Sequence, residues 1–259
     1  MPGETGFVAI AIPLIAEGRP EPDDHSVTGY LFKPAGAGPF PAVVMMHGCD
    51  GLGWLRPNRP SWTLFKGYAE RYVAHGYAAL VLDSFEPRGI ADACGAPMTV
   101  TPARRAWDAL SAARYLAGLA DIDPCRLVLQ GDSHGRLSVL SALRRGGPGP
   151  SPFAAGIAFY PGCIAASGFT APVLILIGDK DDWTPALRCE RMVRALENEG
   201  RHEVELKVFP GATHAFDFPM QPHTNALGHF LAHDATATAA SWQAIDAFLG
   251  RVTGARKQE

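Results

Sequence analysis

The chain has 259 residues, 47% hydrophobic and 19% charged, with a formal net charge of −3 and a pI near 6.3. That length buries a substantial core as one α/β domain, and no basic stripe points to nucleic acid as a partner. Glycine (28) and proline (22) are plentiful but dispersed, which fits many short connections and not a disordered tract.

Phe7 to Ile15 is an apolar run that carries Pro13 and has no Lys or Arg before it. It is too short to span a bilayer and lacks the basic front of a secretory signal, so it reads as a first strand. No membrane partner is expected. The cytoplasm is the expected compartment, with a periplasmic or secreted location the alternative if a signal peptide has been removed. Thr28–Lys33 follows as a strand, and Ala42–Met46 is a fully apolar strand running into His47-Gly48-Cys49-Asp50-Gly51. The spacing of Phe65, Tyr68, Tyr72 and Val73 predicts a helix over Trp62–His75. Tyr77–Leu82 is another buried strand. The Pro- and Gly-containing loop Asp83–Val100 is long enough to be functional.

Thr101-Pro102 reads as an N-cap with proline in the first turn of a helix to Ala117. Asp123-Pro124 is expected to turn the chain into the strand that opens CRLVLQGDSHGR, residues 125–136. A helix follows from Leu137 to about Arg145. Strands Ala154–Tyr160, Val173–Ile177 and Val204–Phe209 and helices Pro185–Glu199 and Ala235–Arg251 complete the pattern, with His214–Asp234 irregular. Strands alternating with helices predict a single α/β domain over 1–259, a mainly parallel, doubly wound sheet with helices on both faces.

Within CRLVLQGDSHGR, residues 131–135 form G-x-S-x-G between a strand and a helix, the setting in which a serine stands exposed on a sharp turn. Ser133 is therefore the candidate nucleophile. Its acid is sought after a later strand, and Val173–Gly178 leads into three carboxylates, Asp179, Asp181 and Asp182. Asp182 or Thr184 also suits a helix cap there. His214 lies just beyond the last strand. The chain order Ser, Asp, His is the one this architecture uses.

These stretches, VVMMHGCDGL, LVLDSFEPRG, LQGDSHG, FYPGC, LILIGDKDDWTP and FPGATHAFD, resemble the dienelactone hydrolase family of α/β-hydrolases. The resemblance implies Ser133 as nucleophile, Asp181 as acid, His214 as base, and the backbone N–H groups of Cys49 and His134 as oxyanion donors. It implies a small-molecule ester or lactone substrate and no cofactor or metal. The best-known relatives carry a cysteine nucleophile and a glutamate in the oxyanion loop, where this chain has Ser133 and Gly48. Of their two carboxylate-binding arginines, one corresponds to Arg88, while the other position holds Phe218. Neutral or aromatic esters are therefore preferred over an anionic lactone. Trp54, Phe85, Trp183 and Phe216, on loops at the sheet end, are expected to rim the pocket with Arg88 and Asp132. Asp132 and Arg136, four residues apart, are expected to pair across a helical turn.

Five cysteines without a C-x-x-C read as reduced and buried. The alternative pairs Cys49 with Cys94 and Cys163 with Cys189, leaving Cys125 over, and requires an oxidising compartment. His214, His223, His229 and His233 offer a rival metal site, but the H-E-x-x-H signature is absent. A non-catalytic binding protein on the same fold is a further rival, as is a small peptidase or perhydrolase.

Overall fold

Eight strands form one sheet in the order β1-β2-β4-β3-β5-β6-β7-β8 in a computed structural model that describes residues 6–15, 25–53, 60–164 and 167–254, with the backbone alone at Arg136. The strands are β1 (Phe7–Pro13), β2 (Ser26–Phe32), β3 (Phe40–Met46), β4 (Ala78–Asp83), β5 (Ile122–Asp132), β6 (Ala155–Phe159), β7 (Val173–Gly178) and β8 (Val204–Phe209). β1, β2 and β4 pair antiparallel, and every neighbour from β4 to β8 is parallel. β4, β6 and β7 are buried at every position. Such uninterrupted apolar runs are what a parallel strand needs when helices cover both of its faces.

The helices are α1 (Pro60–Ala74), α2 (Pro102–Ala117), α3 (His134–Leu143), α4 (Ala186–Asn198) and α5 (Ala235–Val252). α1 connects β3 back to β4, whereas α2, α3 and α4 connect strands in the opposite direction along the sheet. Right-handed crossovers then place α1 on one face and the other three on the second face. α5 joins α1, with Trp242 5.1 Å from the Tyr68 ring and 5.6 Å from Tyr72. Because the chain leaves β3 and β5 toward opposite faces, a crevice opens at their carboxyl ends. That is where ligands bind in open α/β sheets.

The predicted cap is present: Thr101 Oγ1 accepts from the Arg104 N–H at 3.1 Å. The turn expected at Asp123-Pro124 is corrected, because β5 already begins at Ile122. Phe40 pairs with Ile122 and Ala42 with Leu127, so the extra residues of β5 bulge out. A bulge has no ladder N–H to supply at Pro124 and so tolerates the proline. The segment read as irregular holds a two-residue pairing of β9 (His223–Thr224) with β10 (Phe230–Leu231).

The expectation of reduced cysteines is also corrected. Cys49 pairs with Cys94 and Cys163 with Cys189, at Cα separations of 4.8 and 4.9 Å, while Cys125 is free and exposed. Each bridge ties a loop at the carboxyl end of the sheet to a neighbouring segment, bringing the paired Cα atoms within bonding range. Among the described residues no helix is long and apolar enough to cross a membrane.

Candidate active site

β5 ends in the turn that carries Ser133, whose φ of 49° and ψ of −113° fall outside the ordinary regions for a residue with a side chain. Such a backbone costs on the order of 1–3 kcal/mol and persists only where its surroundings over-determine it. Here the Ser133 N–H donates to the Phe159 carbonyl at 3.3 Å, and α3 begins at the next residue. Gly135 allows the tight fit: a Cβ there would lie 2.2 Å from the Met46 carbonyl oxygen and 2.6 Å from that of His47. The start of α3 therefore rests directly on the end of β3.

Ser133 Oγ lies 2.9 Å from His214 Nε2, and His214 Nδ1 lies 2.8 Å from Asp181 Oδ2. A carboxylate only accepts, so Nδ1 carries the proton and Nε2 is left to accept from the serine hydroxyl. Burial opposes the charge on Asp181. The His214 hydrogen bond and the N–H and hydroxyl of Thr184 outweigh it and hold the carboxyl below its usual range. Of the three competing carboxylates, Asp179 accepts from the Gly211 N–H and Asp182 faces His229. Only Asp181 reaches His214.

Across from the elbow, Gly48 closes on Ser133: a Cβ at Gly48 would lie 3.6 Å from the Ser133 Cβ and 3.0 Å from Asp50 Oδ1. A glutamate side chain at this position would compete with Asp50 for that space. His47 is fully buried, and Nδ1 donates to the Gly48 carbonyl at 2.7 Å while Nε2 accepts from the Ser84 N–H at 3.3 Å. Burial, and next the Arg105 charge, push its pKa well below the usual histidine value, so the ring is neutral. The Cys49 and His134 side chains are both engaged, Cys49 in its disulfide and His134 between Arg105 and the Pro97 carbonyl.

Two cavities of about 570 and 590 Å³ open on either side of Ser133, and Cys49, Cys94, Ser133 and Trp183 line both. The first follows one face of α3, at His134, Leu137, Leu140, Ser141 and Arg144. The second runs past Asp50, Tyr160 and His214 toward Phe218 and Leu227. Trp183, expected at the rim, lines both cavities, with its ring 4.9 Å from His214 and stacked on His229 at 4.8 Å.

Three of the expected substrate residues are corrected. Arg88 is bound bidentately to Asp108 at 2.8 Å and lines neither cavity. Phe85 is buried against His47 and under Arg105, and Phe216 is buried between Tyr160 and Phe209. The sequence could not separate a rim position from a core position one layer below it. Trp54 and the side chain of Arg136 lie outside the described residues, and with Arg136 the expected pairing to Asp132.

Asp132 lines the second cavity, yet the residue is only 3% exposed. Oδ1 accepts a long bond from Gln130 Nε2 at 3.4 Å. Gln130 in turn accepts from the Tyr72 hydroxyl at 2.5 Å. Burial, and next the charge of Asp217, raise the Asp132 pKa well above the carboxylate range. Burial also raises that of Asp217, which accepts from the Tyr68 hydroxyl. This polar cluster beneath the elbow left no signal in the sequence beyond Asp132 itself. The four histidines read as a rival metal site do not converge, and among the described residues no group of three or more His, Cys, Asp or Glu could hold an ion.

Sheet order, elbow and crevice together define an α/β-hydrolase fold. The chain belongs to the dienelactone hydrolase family, whose pattern matches residues 27–253. A Bradyrhizobium protein described as a probable 2-oxo-3-(5-oxofuran-2-ylidene)propanoate lactonase is 26% identical over 74% of this chain and 79% of its own length. The quorum-quenching protein AidA of Acinetobacter baumannii is 33% identical over 46% of this chain, a match spanning 36% of that relative. In structure, the chain resembles the dienelactone hydrolase-like promiscuous phosphotriesterase P91 from metagenomic libraries, with a TM-score of 0.74 at 20% identity, covering 95% and 99% of the two chains. It also resembles propionate-bound esterase Est2 of Thermogutta terrifontis, with a TM-score of 0.71 at 20% identity, covering 100% and 98%. At that identity the two structures speak to the fold alone.

Proposed function

We propose that the protein hydrolyses neutral or aromatic carboxylic esters or lactones with Ser133 as nucleophile. The observation that carries this reading is the continuous hydrogen-bonded chain from Ser133 Oγ through His214 to Asp181, with distances of 2.9 and 2.8 Å, ending on a serine held in a strained elbow. As Oγ attacks the carbonyl carbon, its proton passes to His214 Nε2, and the adjacent Asp181 carboxylate stabilises the imidazolium. Charge develops on the carbonyl oxygen, and the N–H groups of Cys49 and His134 receive it. Each such donor is worth about 10²–10³ in rate. His214 next protonates the leaving alcohol, and water attacks the acyl-enzyme by the same route. The cavities on either side of Ser133 suit a substrate with a substantial group on both sides of the scissile bond.

The fixed pairing of Arg88 with Asp108 supports a neutral over an anionic lactone. Two disulfides support an oxidising compartment rather than the cytoplasm expected from the sequence, because cytosolic thiols are kept reduced. The test is a panel of short-chain, aryl and lactone esters with an amide arm, run on wild type and Ser133→Ala. Ester turnover that disappears in Ser133→Ala supports the reading. Absence of ester turnover in wild type, or equal turnover in both, refutes it.

A further inference from the structure

Arg105, in the first turn of α2, is the largest fully buried side chain among the described residues. Long charged side chains are rarely fully buried without a partner of opposite charge. Its direct hydrogen-bond partners are instead neutral: one Nη donates to His134 Nδ1 at 2.8 Å, the other to the His47 carbonyl at 2.8 Å, and the guanidinium lies 4.9 Å above the Phe85 ring. Asp108 and Asp83 favour its charge from nearby. However, Asp108 is held by Arg88, and Asp83 accepts from the N–H groups of Phe85 and Glu86. Burial still lowers the Arg105 pKa to about 10, which leaves it charged at neutral pH.

The two groups it holds belong to the two segments that carry the proposed oxyanion donors. His47, gripped by its carbonyl, donates from Nδ1 to the Gly48 carbonyl. In a trans peptide the C=O and N–H point opposite ways, so fixing the Gly48 oxygen fixes the direction of the Cys49 N–H. On the other side, the His134 ring is pinned between Arg105 and the Pro97 carbonyl, the latter at 2.7 Å. That ring belongs to the residue whose own N–H is the second donor.

We infer that Arg105 is a positioning residue for the oxyanion hole: one buried guanidinium sets the spacing of both donor-bearing segments and supplies positive charge behind the developing oxyanion. This rests on the reading of Ser133 as nucleophile. Preorganised charge in a water-excluded site acts on the transition state more than on bound substrate. Its loss therefore appears in kcat and leaves KM nearly unchanged.

The test compares the full-length wild type with Arg105→Met and Arg105→Lys on a p-nitrophenyl ester. Active sites are counted by phosphonate titration and folding is checked by thermal unfolding. Inhibition by a boronic acid, which forms a tetrahedral anionic adduct on serine, is measured in parallel. Arg105→Met lowers kcat per titrated site about 10²-fold and weakens boronate binding in parallel, with KM within about threefold. Arg105→Lys keeps the charge but not the fork, and loses about tenfold. If Arg105→Met does not fold, Arg105→Lys decides: wild-type kcat and boronate affinity overturn the inference, and a parallel loss of both supports it. A folded Arg105→Met with wild-type kcat per site overturns it as well. Wild-type turnover that depends on Ser133 but not on Arg105 removes this inference alone, whereas turnover independent of Ser133 removes the parent reading.

Discussion

Replacing Gly135 with alanine tests whether the packing of the elbow on β3 sets the site's geometry. The added Cβ would sit 2.2 Å from the Met46 oxygen and 2.6 Å from the His47 oxygen, where a carbon and a carbonyl oxygen ordinarily keep about 3.3 Å. Both obstacles are backbone, so relief requires a separation of about 1 Å between α3 and the end of β3. Overpacking of this kind costs about 1–3 kcal/mol, which for a chain of this length lowers Tm by about 2–6 °C. The same movement pulls the His134 N–H away from the Cys49 N–H, and a 1 Å misplacement at a reacting centre costs about 10²-fold in rate. Gly67, within α1, is the control: a Cβ there meets nothing within 4 Å. Gly67→Ala gains about 0.5–1 kcal/mol from reduced backbone freedom and keeps full activity. Thermal unfolding and kcat/KM on an aryl ester check both variants. A Gly135→Ala protein with wild-type Tm and kcat/KM would show that the elbow is not wedged against β3 as described.

Asp181→Asn preserves an oxygen for the Trp183 and Thr184 N–H groups, which Asp181 Oδ1 accepts at 3.0 and 2.6 Å. It removes the charge facing His214, so kcat falls by about 10⁴ with little change in Tm; a loss below tenfold contradicts the assigned acid. Thiol titration of the unfolded but unreduced protein finds one thiol, that of Cys125, and five after reduction. With separations of 45 and 26 residues, removing the bridges costs about 4 and 3.5 kcal/mol respectively by loop-closure entropy, read as a shift in denaturant midpoint. Asp132 has a raised pKa in the folded state. Its favourable contribution is therefore full below the unfolded carboxylate pKa and is lost as pH rises through the folded value. Asp132→Asn removes that loss, so its Tm relative to wild type rises as pH increases above the unfolded carboxylate pKa; a Tm difference independent of pH contradicts the buried ionisable carboxyl.

The parallel strands were legible because burial on both faces demands unbroken apolar runs, as in Val173–Ile177, and the helices because Phe65, Tyr68 and Tyr72 recur on one face. Ser133, Asp181 and His214 could be read because each follows a strand in the order this sheet imposes. What failed to show was depth. Phe85 and Phe216 stand on loops near the crevice, but loops at a sheet end have an inner side, and only the fold reveals that both rings pack there. Arg88 looked available because its partner Asp108 lies 20 residues on, in α2. Arg105 left no trace, since a basic residue in the first turns of an amphipathic helix ordinarily reads as solvent-exposed. The disulfides depended on separations between loops, which no pattern of residues sets.

Activation of Ser133 as a nucleophile by His214 can be read by mass spectrometry after reaction with a serine-directed phosphonate. One adduct per chain is expected, located at Ser133 in the peptide containing LVLQGDSHGR, with loss of labelling in His214→Ala. Labelling at another residue, or undiminished labelling of Ser133 without His214, contradicts it.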